Sequence, residues 1–186
     1  STKEEGQPFE FAYLNEDPSW ALVFLDDWTA VYLKRIPEHA ALIDNFRYHL
    51  LTSEGVDRGT ILEQVSPTQV SALEAELQRM IRMDPRGISA LLALAKLQRG
   101  MGRFAQALAL LKEAQERFPF RHEAYVLQAS IREAEGKWTE AAALYERVLD
   151  LTQYLPVQPN YVHLAEVYEH AGDRKNATKY RRKAGL

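Results

Sequence analysis

The stretch "GRFAQALALLKEAQERFP", residues 102–119, decides the fold because two similar stretches follow it in the sequence. A second version, "GKWTEAAALYERVLDL", begins at Gly136, and a third, "GDRKNATKYRRKAGL", begins at Gly172. Successive starting glycines are therefore 34 and 36 residues apart. A period of this length is typical of helical hairpins that stack side by side, since one hairpin cannot bury its apolar stripe alone.

Small residues hold fixed positions around each starting glycine. An alanine follows each glycine by five residues and another precedes it by seven, at Ala107, Ala141, Ala177 and at Ala95, Ala129, Ala165. Small side chains allow two helix backbones to approach closely while larger neighbours interdigitate. The glycine marks the end of one helix, where the chain reversal often needs a positive φ. The pattern predicts helices over residues 88–100 and 104–117 in the first unit.

These columns resemble the tetratricopeptide repeat over about residues 85–186. The resemblance implies a mainly α fold, a right-handed superhelix of antiparallel helix pairs, with repeats at about 86–119, 120–155 and 156–186. A half repeat over 67–85 precedes them, and we expect its helix to begin after an N-cap at Ser66 with Pro67 in the first helical position. The segment "LTQYLPVQPN" between the last two repeats predicts a locally stretched turn at its prolines.

Residues 1–66 do not follow the period and are predicted to form a separate cap region, with the repeat array at 67–186. The stretch "WALVFLDDWTAVYLKR", residues 20–35, is rich in β-branched and aromatic residues and predicts a β-hairpin that turns near Asp26 and Asp27. The stretch "PEHAALIDNFRYHLL", residues 37–51, predicts a short helix with proline at its start. A loop containing Gly55 and Gly59 is expected to follow.

The hairpin stretch also resembles a motif in bacterial polytopic membrane proteins of the glycosyltransferase type. In those proteins W-x-L-V-F-x-D-D-x-x-A-V-Y-L, here Trp20 to Leu33, opens a soluble extracytoplasmic tail that ends in tetratricopeptide repeats. The resemblance implies an accessory domain of such a membrane protein, in a periplasmic or extracytoplasmic location. A cytoplasmic location stays open as the alternative. The apolar run from Trp20 to Leu25 is too short to span a bilayer, so we expect no membrane insertion by this chain.

Composition excludes several classes of site. The 186 residues contain no cysteine, which excludes disulfides, thiol nucleophiles and cysteine-based zinc sites. The net charge of −3 is unevenly spread, with 12 acids and 5 bases in residues 1–66 but 14 acids and 18 bases in residues 67–186. Six bases lie near the C-terminus, at Arg174, Lys175, Lys179, Arg181, Arg182 and Lys183. They predict either ordinary charge complementation within the protein or a docking face for an acidic partner.

No catalytic site or cofactor is predicted. Asp26 and Asp27 are neighbours, so in a strand they would point to opposite faces, and in a turn they are ordinary turn residues. His163, Glu166 and His170 share one helix face and are weak candidates for holding a divalent metal; lining of a polar groove is the alternative that we favour. Most tyrosine and phenylalanine side chains fall in core columns, which disfavours nucleic-acid binding.

The predicted function is a non-catalytic scaffold for protein–protein interaction. In the repeat fold the first helix of each pair lines a concave groove, where a peptide or partner protein would bind. The groove candidates are Leu92, Lys96, Arg99, Glu123, Val126, Ser130, Glu133, Val162, Glu166 and His170. The carboxylate clamp implied by the resemblance would need cations or amides at positions where only Lys96 suits, which disfavours a chaperone-tail adaptor. Self-association through the exposed ends of the array is a further possibility.

Overall fold

A computed structural model describes residues 12–58, 65–155 and 159–186. The chain divides into two compact units, Ser1–Leu97 and Gln98–Leu186, and each is described by itself. The predicted boundary at residue 66 stays a prediction, as do the expectations for Gly59 and for the turn around Pro156, which lie outside the described residues. No helix within the described ranges combines the length and the apolar character that crossing a membrane requires.

The predicted β-hairpin is confirmed. Strand β1, Trp20–Leu25, pairs antiparallel with strand β2, Ala30–Lys34, with an irregularity in register after Leu22. Asp26 closes the connection, since its carboxylate accepts the N–H groups of residues 28 and 29 at 2.8 and 2.6 Å. This carboxylate therefore holds the turn, as expected for aspartate in a tight connection.

The predicted helix over residues 37–51 is wrong at its C-terminal end. Helix α1 covers Ala40–Phe46, after a 3₁₀ turn at Pro37–His39. Beyond it the chain returns to the hairpin, where the Tyr48 N–H donates to the carbonyl of Leu22 at 2.8 Å. The next three N–H groups, of residues 49–51, donate to the carboxylate of Glu76 at 2.6, 3.1 and 2.9 Å. These distant acceptors replace the helical ones and draw the backbone out of the helix.

The loop predicted at Gly55 is also wrong, because Gly55 lies inside helix α2, Ser53–Arg58. The Thr52 hydroxyl accepts the Gly55 N–H at 3.0 Å, which satisfies a donor in the first turn of this short helix.

The half-repeat helix is confirmed. Helix α3 covers Val70–Met83 after a 3₁₀ turn that opens with proline at Pro67–Gln69. Ser66 occupies the N-cap, and its N–H donates to the side-chain oxygen of Gln69 at 3.1 Å. The buried face of α3 consists of Leu73, Leu77 and Met80, each no more than 2% exposed. Helix α4, Ser89–Gly100, follows and agrees with the prediction.

The second unit is a series of helices joined by short turns. Its helices are α5, Phe104–Arg117; α6, His122–Ala134; α7, Trp138–Thr152; α8, Tyr161–His170; and α9, Arg174–Lys183. Each of them packs against the next along the chain. This order confirms the predicted succession of helix pairs.

The small-residue columns behave as predicted. The alanines five residues after the glycines are 0, 0 and 3% exposed, at Ala107, Ala141 and Ala177. The alanines seven residues before the glycines are 0, 0 and 2% exposed, at Ala95, Ala129 and Ala165. The glycines at the three reversals have φ angles of +70°, +72° and +79°, for Gly102, Gly136 and Gly172. Positive φ strains a residue with a Cβ, which explains why glycine stands there each time.

Three stacked tyrosines build the core of the last helix pair. The Tyr180 ring lies nearly parallel to that of Tyr168, with centroids 5.7 Å apart, and stacks on Tyr161 at 6.0 Å. The Tyr180 hydroxyl donates to Glu146 at 2.7 Å. Burial, and then the Glu146 carboxylate, raise the pKa of Tyr168 and of Tyr180. These phenols therefore stay protonated and act as donors.

Candidate functional site

A cavity of about 310 Å³ lies between helices α6, α7 and α8 of the second unit. Its apolar lining consists of Val126, Val148, Leu149, Pro159 and Leu164. Because Val126 is 38% exposed, the cavity opens towards solvent along α6. Side chains from all three helices and from the two residues just before α8 line this cavity.

Polar side chains complete the lining, and two of them serve the helices themselves. Asn160 caps α8, where its side-chain oxygen accepts the His163 N–H at 3.0 Å. The Thr152 hydroxyl donates to the carbonyl of Val148 at 2.8 Å. The other polar lining residues are His122, Tyr145 and His163.

Glu133, Tyr145 and His163 form a hydrogen-bonded group, here named the Glu133 cluster. The Tyr145 hydroxyl donates to Glu133 Oε1, and His163 Nε2 lies 3.1 Å from the same oxygen and 3.4 Å from the hydroxyl. The His163 ring meets the Tyr145 ring edge-on, with centroids 5.2 Å apart. Burial first, and then the hydrogen bond to Glu133, raise the pKa of Tyr145, so its hydroxyl remains a donor.

A second carboxylate flanks the cluster. Glu166 Oε2 lies 3.7 Å from His163 Nδ1, so the imidazole stands between Glu133 and Glu166. The Glu166 side chain is 60% exposed and that of Glu133 is 18% exposed. Among the residues that the structure describes, neither carboxylate has a lysine or arginine nitrogen within 4 Å. The rim of the cavity is therefore acidic.

The structure brings only some of the predicted groove residues to this site. Val126 lines the cavity, Glu133 bonds to two of its lining residues, and Glu166 stands at its edge. Ser130 instead donates to the carbonyl of Leu127 in its own helix at 2.8 Å. His170 stacks on Trp138, with ring centroids 4.3 Å apart.

The remaining groove candidates lie apart from the cavity. Glu123 pairs with Arg121 at 3.3 Å, and Val162 is 44% exposed without lining the cavity. Arg99 is also exposed. In the first unit Lys96 is exposed, whereas Leu92 is buried at 8% exposure. Their role as partner contacts stays a prediction.

The two histidines among the weak metal candidates contact different residues. His163 belongs to the Glu133 cluster, and His170 packs its ring face against Trp138. Across the described part of the chain, no group of three or more histidine, aspartate or glutamate side chains is placed to hold a metal ion.

Two cations of the C-terminal basic helix have partners within the second unit. Arg181 pairs with Glu169, and Lys179 lies 3.8 Å from Glu146. Both pairs cross from α9 to an earlier helix, which fits the interpretation of charge complementation. A docking face on α9 stays a prediction.

The sequence did not predict that Tyr145, Val148 and Leu149 of α7 would line the cavity. Tyr145 stands in a column where the first repeat has Leu111, and such a position is typical of core packing. Val148 and Leu149 belong to the same helix and look like core residues by spacing alone. One signal was present, because a buried tyrosine hydroxyl needs a hydrogen-bonding partner that the leucine does not.

The aspartate pair of the first unit has a structural use. Asp27 accepts the N–H groups of Ile88 and Ser89 at 2.7 and 3.1 Å and so caps the start of α4. A Cβ on Gly87 would lie 3.1 Å from Asp27 Oδ1 and 2.6 Å from Asp84 Oδ2, so glycine permits this close approach. Both aspartates of the hairpin are thus occupied by backbone donors.

Comparison with known proteins agrees with this architecture. The family model described as tetratricopeptide repeat matches residues 92–156. A crystal structure of MamA protein superposes with a TM-score of 0.56 at 19% identity, covering 69% of this chain and 68% of that one. Another crystal structure of MamA gives a TM-score of 0.53 at 17% identity, covering 74% and 94%. None of the curated proteins matches the chain.

At these identities the MamA structures show a shared fold, and the family match supplies the name of the repeat. Proteins built from this repeat are generally non-catalytic scaffolds. The buried alanine columns and the positive-φ glycines are the features that the repeat requires. Residues 92–156 of the chain therefore belong to a tetratricopeptide-repeat domain.

Proposed function

We propose that this protein is a non-catalytic interaction module that binds a peptide segment of a partner protein at the cavity between α6, α7 and α8. The repeat fold supports a protein partner in general terms. The observation that carries the proposal is an apolar cavity that opens to solvent beside helix α6.

The dimensions of the cavity suit one large side chain of a bound segment. Burying such a side chain contributes about 1.5–3 kcal/mol, which makes it an anchor rather than a complete binding site. The polar lining residues then orient the segment, as expected where a few convergent polar groups accompany an apolar pocket.

In the Glu133 cluster the tyrosine is suited to donate a hydrogen bond to a ligand or a neighbour. This tyrosine keeps the proton, because burial and the Glu133 carboxylate both raise the pKa of Tyr145. A phenol held in this way donates a hydrogen bond and does not act as a base near neutral pH. The association with a membrane-embedded glycosyltransferase-like protein stays a separate proposal, which rests on the hairpin motif alone.

The test is a selection of random phage-displayed peptides on the full chain, followed by titration of the selected peptides against two variants. Val126→Lys places a long cationic side chain at the mouth of the cavity. Ala143→Lys is the matched control, because Ala143 is exposed on α7 and does not line the cavity. We expect Val126→Lys to weaken binding about ten-fold or more, the value of a buried anchor, and Ala143→Lys to leave it unchanged.

Peptides that bind wild type and Val126→Lys equally would contradict the proposal. Selection without any peptide binder would contradict it as well. Circular dichroism of both variants checks the fold, and both substitutions are at exposed helix positions, where unfolding is not expected.

A further inference from the structure

We infer that the anchor of the partner segment is a lysine or arginine, with its aliphatic stem against the cavity wall and its cationic head beside the His163 imidazole, where Glu133 and Glu166 are the nearest carboxylates. The inference rests on the proposed function and deepens it, since it names the chemistry that the cavity selects. It starts from the charge of the helices around the cavity and from the state of these two carboxylates.

The three helices that line the cavity are strongly acidic. Together α6, α7 and α8 contain seven carboxylates and two arginines, a net charge of −5 with neutral histidines. One of the arginines, Arg132, is already engaged, with nitrogen–oxygen distances of 2.6 Å to Glu135 and 3.0 Å to Glu140. Four of the seven carboxylates pair with cations, so the acidic character beside the cavity comes from Glu133 and Glu166, which attract a cationic segment and repel an acidic one.

The two carboxylates retain capacity for a further donor. Glu133 uses Oε1 for Tyr145 and His163, and a carboxylate offers about four acceptor positions on its two oxygens. Among the described residues, Glu166 contacts only His163, with its Oε2 atom 3.7 Å from Nδ1. A guanidinium or ammonium group could use these remaining acceptor positions without breaking the Glu133 cluster.

The apolar lining explains why a long cationic side chain fits better than a bare charge. Lysine and arginine pack their methylene stems on apolar surface while the head group stays among polar groups. Val126 and Leu164 offer such a surface, and the acidic rim lies beside it. One occupant can therefore satisfy both properties of the site.

One cation acts in the opposite sense. Arg99 lowers the pKa of Tyr145 through its charge, a smaller effect than burial or Glu133, which raise it. Its side chain is exposed and belongs to helix α4 rather than to the three lining helices. At the Tyr145 hydroxyl, Glu133 therefore outweighs Arg99.

The experiment uses the peptides selected on the full chain. We expect them to share a lysine or arginine at one position. An arginine peptide and its counterpart with the isosteric, neutral citrulline are then titrated against wild type, Glu133→Gln and Glu166→Gln. The citrulline peptide should bind wild type about ten-fold more weakly, as expected for loss of a charged hydrogen bond.

The same ten-fold loss should appear when the arginine peptide meets either glutamine variant, while the citrulline peptide binds all three proteins alike. Glu116→Gln is the matched control, because it makes the same charge change on α5, where Glu116 faces Lys112 at the surface. Since Glu166 is 60% exposed, its variant keeps the test valid even if Glu133→Gln disturbs the fold.

The outcomes separate this inference from the proposed function. Peptides that depend on Val126 but lack a conserved cation, or that bind the glutamine variants equally well, overturn the inference and leave the proposed function standing. An acidic consensus overturns it also. Peptides that ignore Val126 overturn both.

Discussion

Two sets of carboxylates, one set in each unit, have different kinds of partner. In the first unit Asp26, Asp27 and Glu76 accept hydrogen bonds from backbone N–H groups. In the second unit Glu133 and Glu166 face side chains at the edge of an open cavity. A carboxylate held by backbone donors stabilises a chain reversal, whereas one at a cavity keeps acceptor positions for a ligand. The difference separates structural acids from candidate binding residues, and it can be measured.

The largest loss of stability is expected when Glu76 is substituted. Glu76→Ala leaves three N–H groups, of residues 49–51, without their acceptor and should lower the free energy of unfolding by about 3 kcal/mol. Urea unfolding followed by tryptophan fluorescence measures it. Asp44→Ala, at an exposed position of α1, is the control and should change stability by less than about 0.5 kcal/mol. Equal losses in both variants would remove the distinction.

Asp27 should follow with a smaller loss. Asp27→Ala removes the acceptor of two N–H groups at the start of α4 and should lower the free energy of unfolding by about 2 kcal/mol. Asp27→Asn keeps one acceptor oxygen and should recover part of that stability. If both variants were as stable as wild type, the proposed cap at α4 would be wrong.

Tyr145→Phe should lower the free energy of unfolding by about 1 kcal/mol at neutral pH, and it should change how that free energy depends on pH. The pKa of Tyr145 is raised in the folded protein, so the folded state holds the proton more tightly than the unfolded one. This contribution is complete below the unfolded pKa of about 10 and is lost as the pH rises above it. Tyr145→Phe should therefore flatten the alkaline decline of stability.

Urea unfolding at a series of pH values from neutral to above about 10 checks this expectation. Tyr168 and Tyr180 have raised pKa values too, so part of the decline should remain in the variant. Tyr13→Phe is a control, because Tyr13 is 64% exposed. Identical alkaline curves for wild type and Tyr145→Phe would contradict the assignment.

The smallest effect on stability is expected at Glu166. Its side chain is 60% exposed, so Glu166→Gln should change the free energy of unfolding by less than about 0.5 kcal/mol. The same variant is expected to lose affinity for a cationic peptide. A residue that affects binding but not folding is the counterpart of Asp27 and Glu76, and thermal unfolding beside the peptide titration shows whether Glu166 is one.

Much of the fold could be predicted because its signals are local. The positive-φ glycines, the hairpin turn at Asp26 and the N-cap at Ser66 each involve residues within a few positions of one another. The failures were at residues 47–51 and at Gly55. There a distant acceptor, Glu76, and a short helix overrode the local pattern, which sequence periodicity does not report.

The candidate site divides in the same way. The sequence by itself determined the helix pairs and placed Val126 and Glu133 on the first helix of a repeat, because repeat spacing sets which residues share a face. Only the tertiary structure brought Glu133 next to His163, 30 residues away, and formed the cavity between α6, α7 and α8. The physical reason is that hydrogen bonds and cavities depend on how three helices pack together, whereas the period specifies each helix and its turn alone.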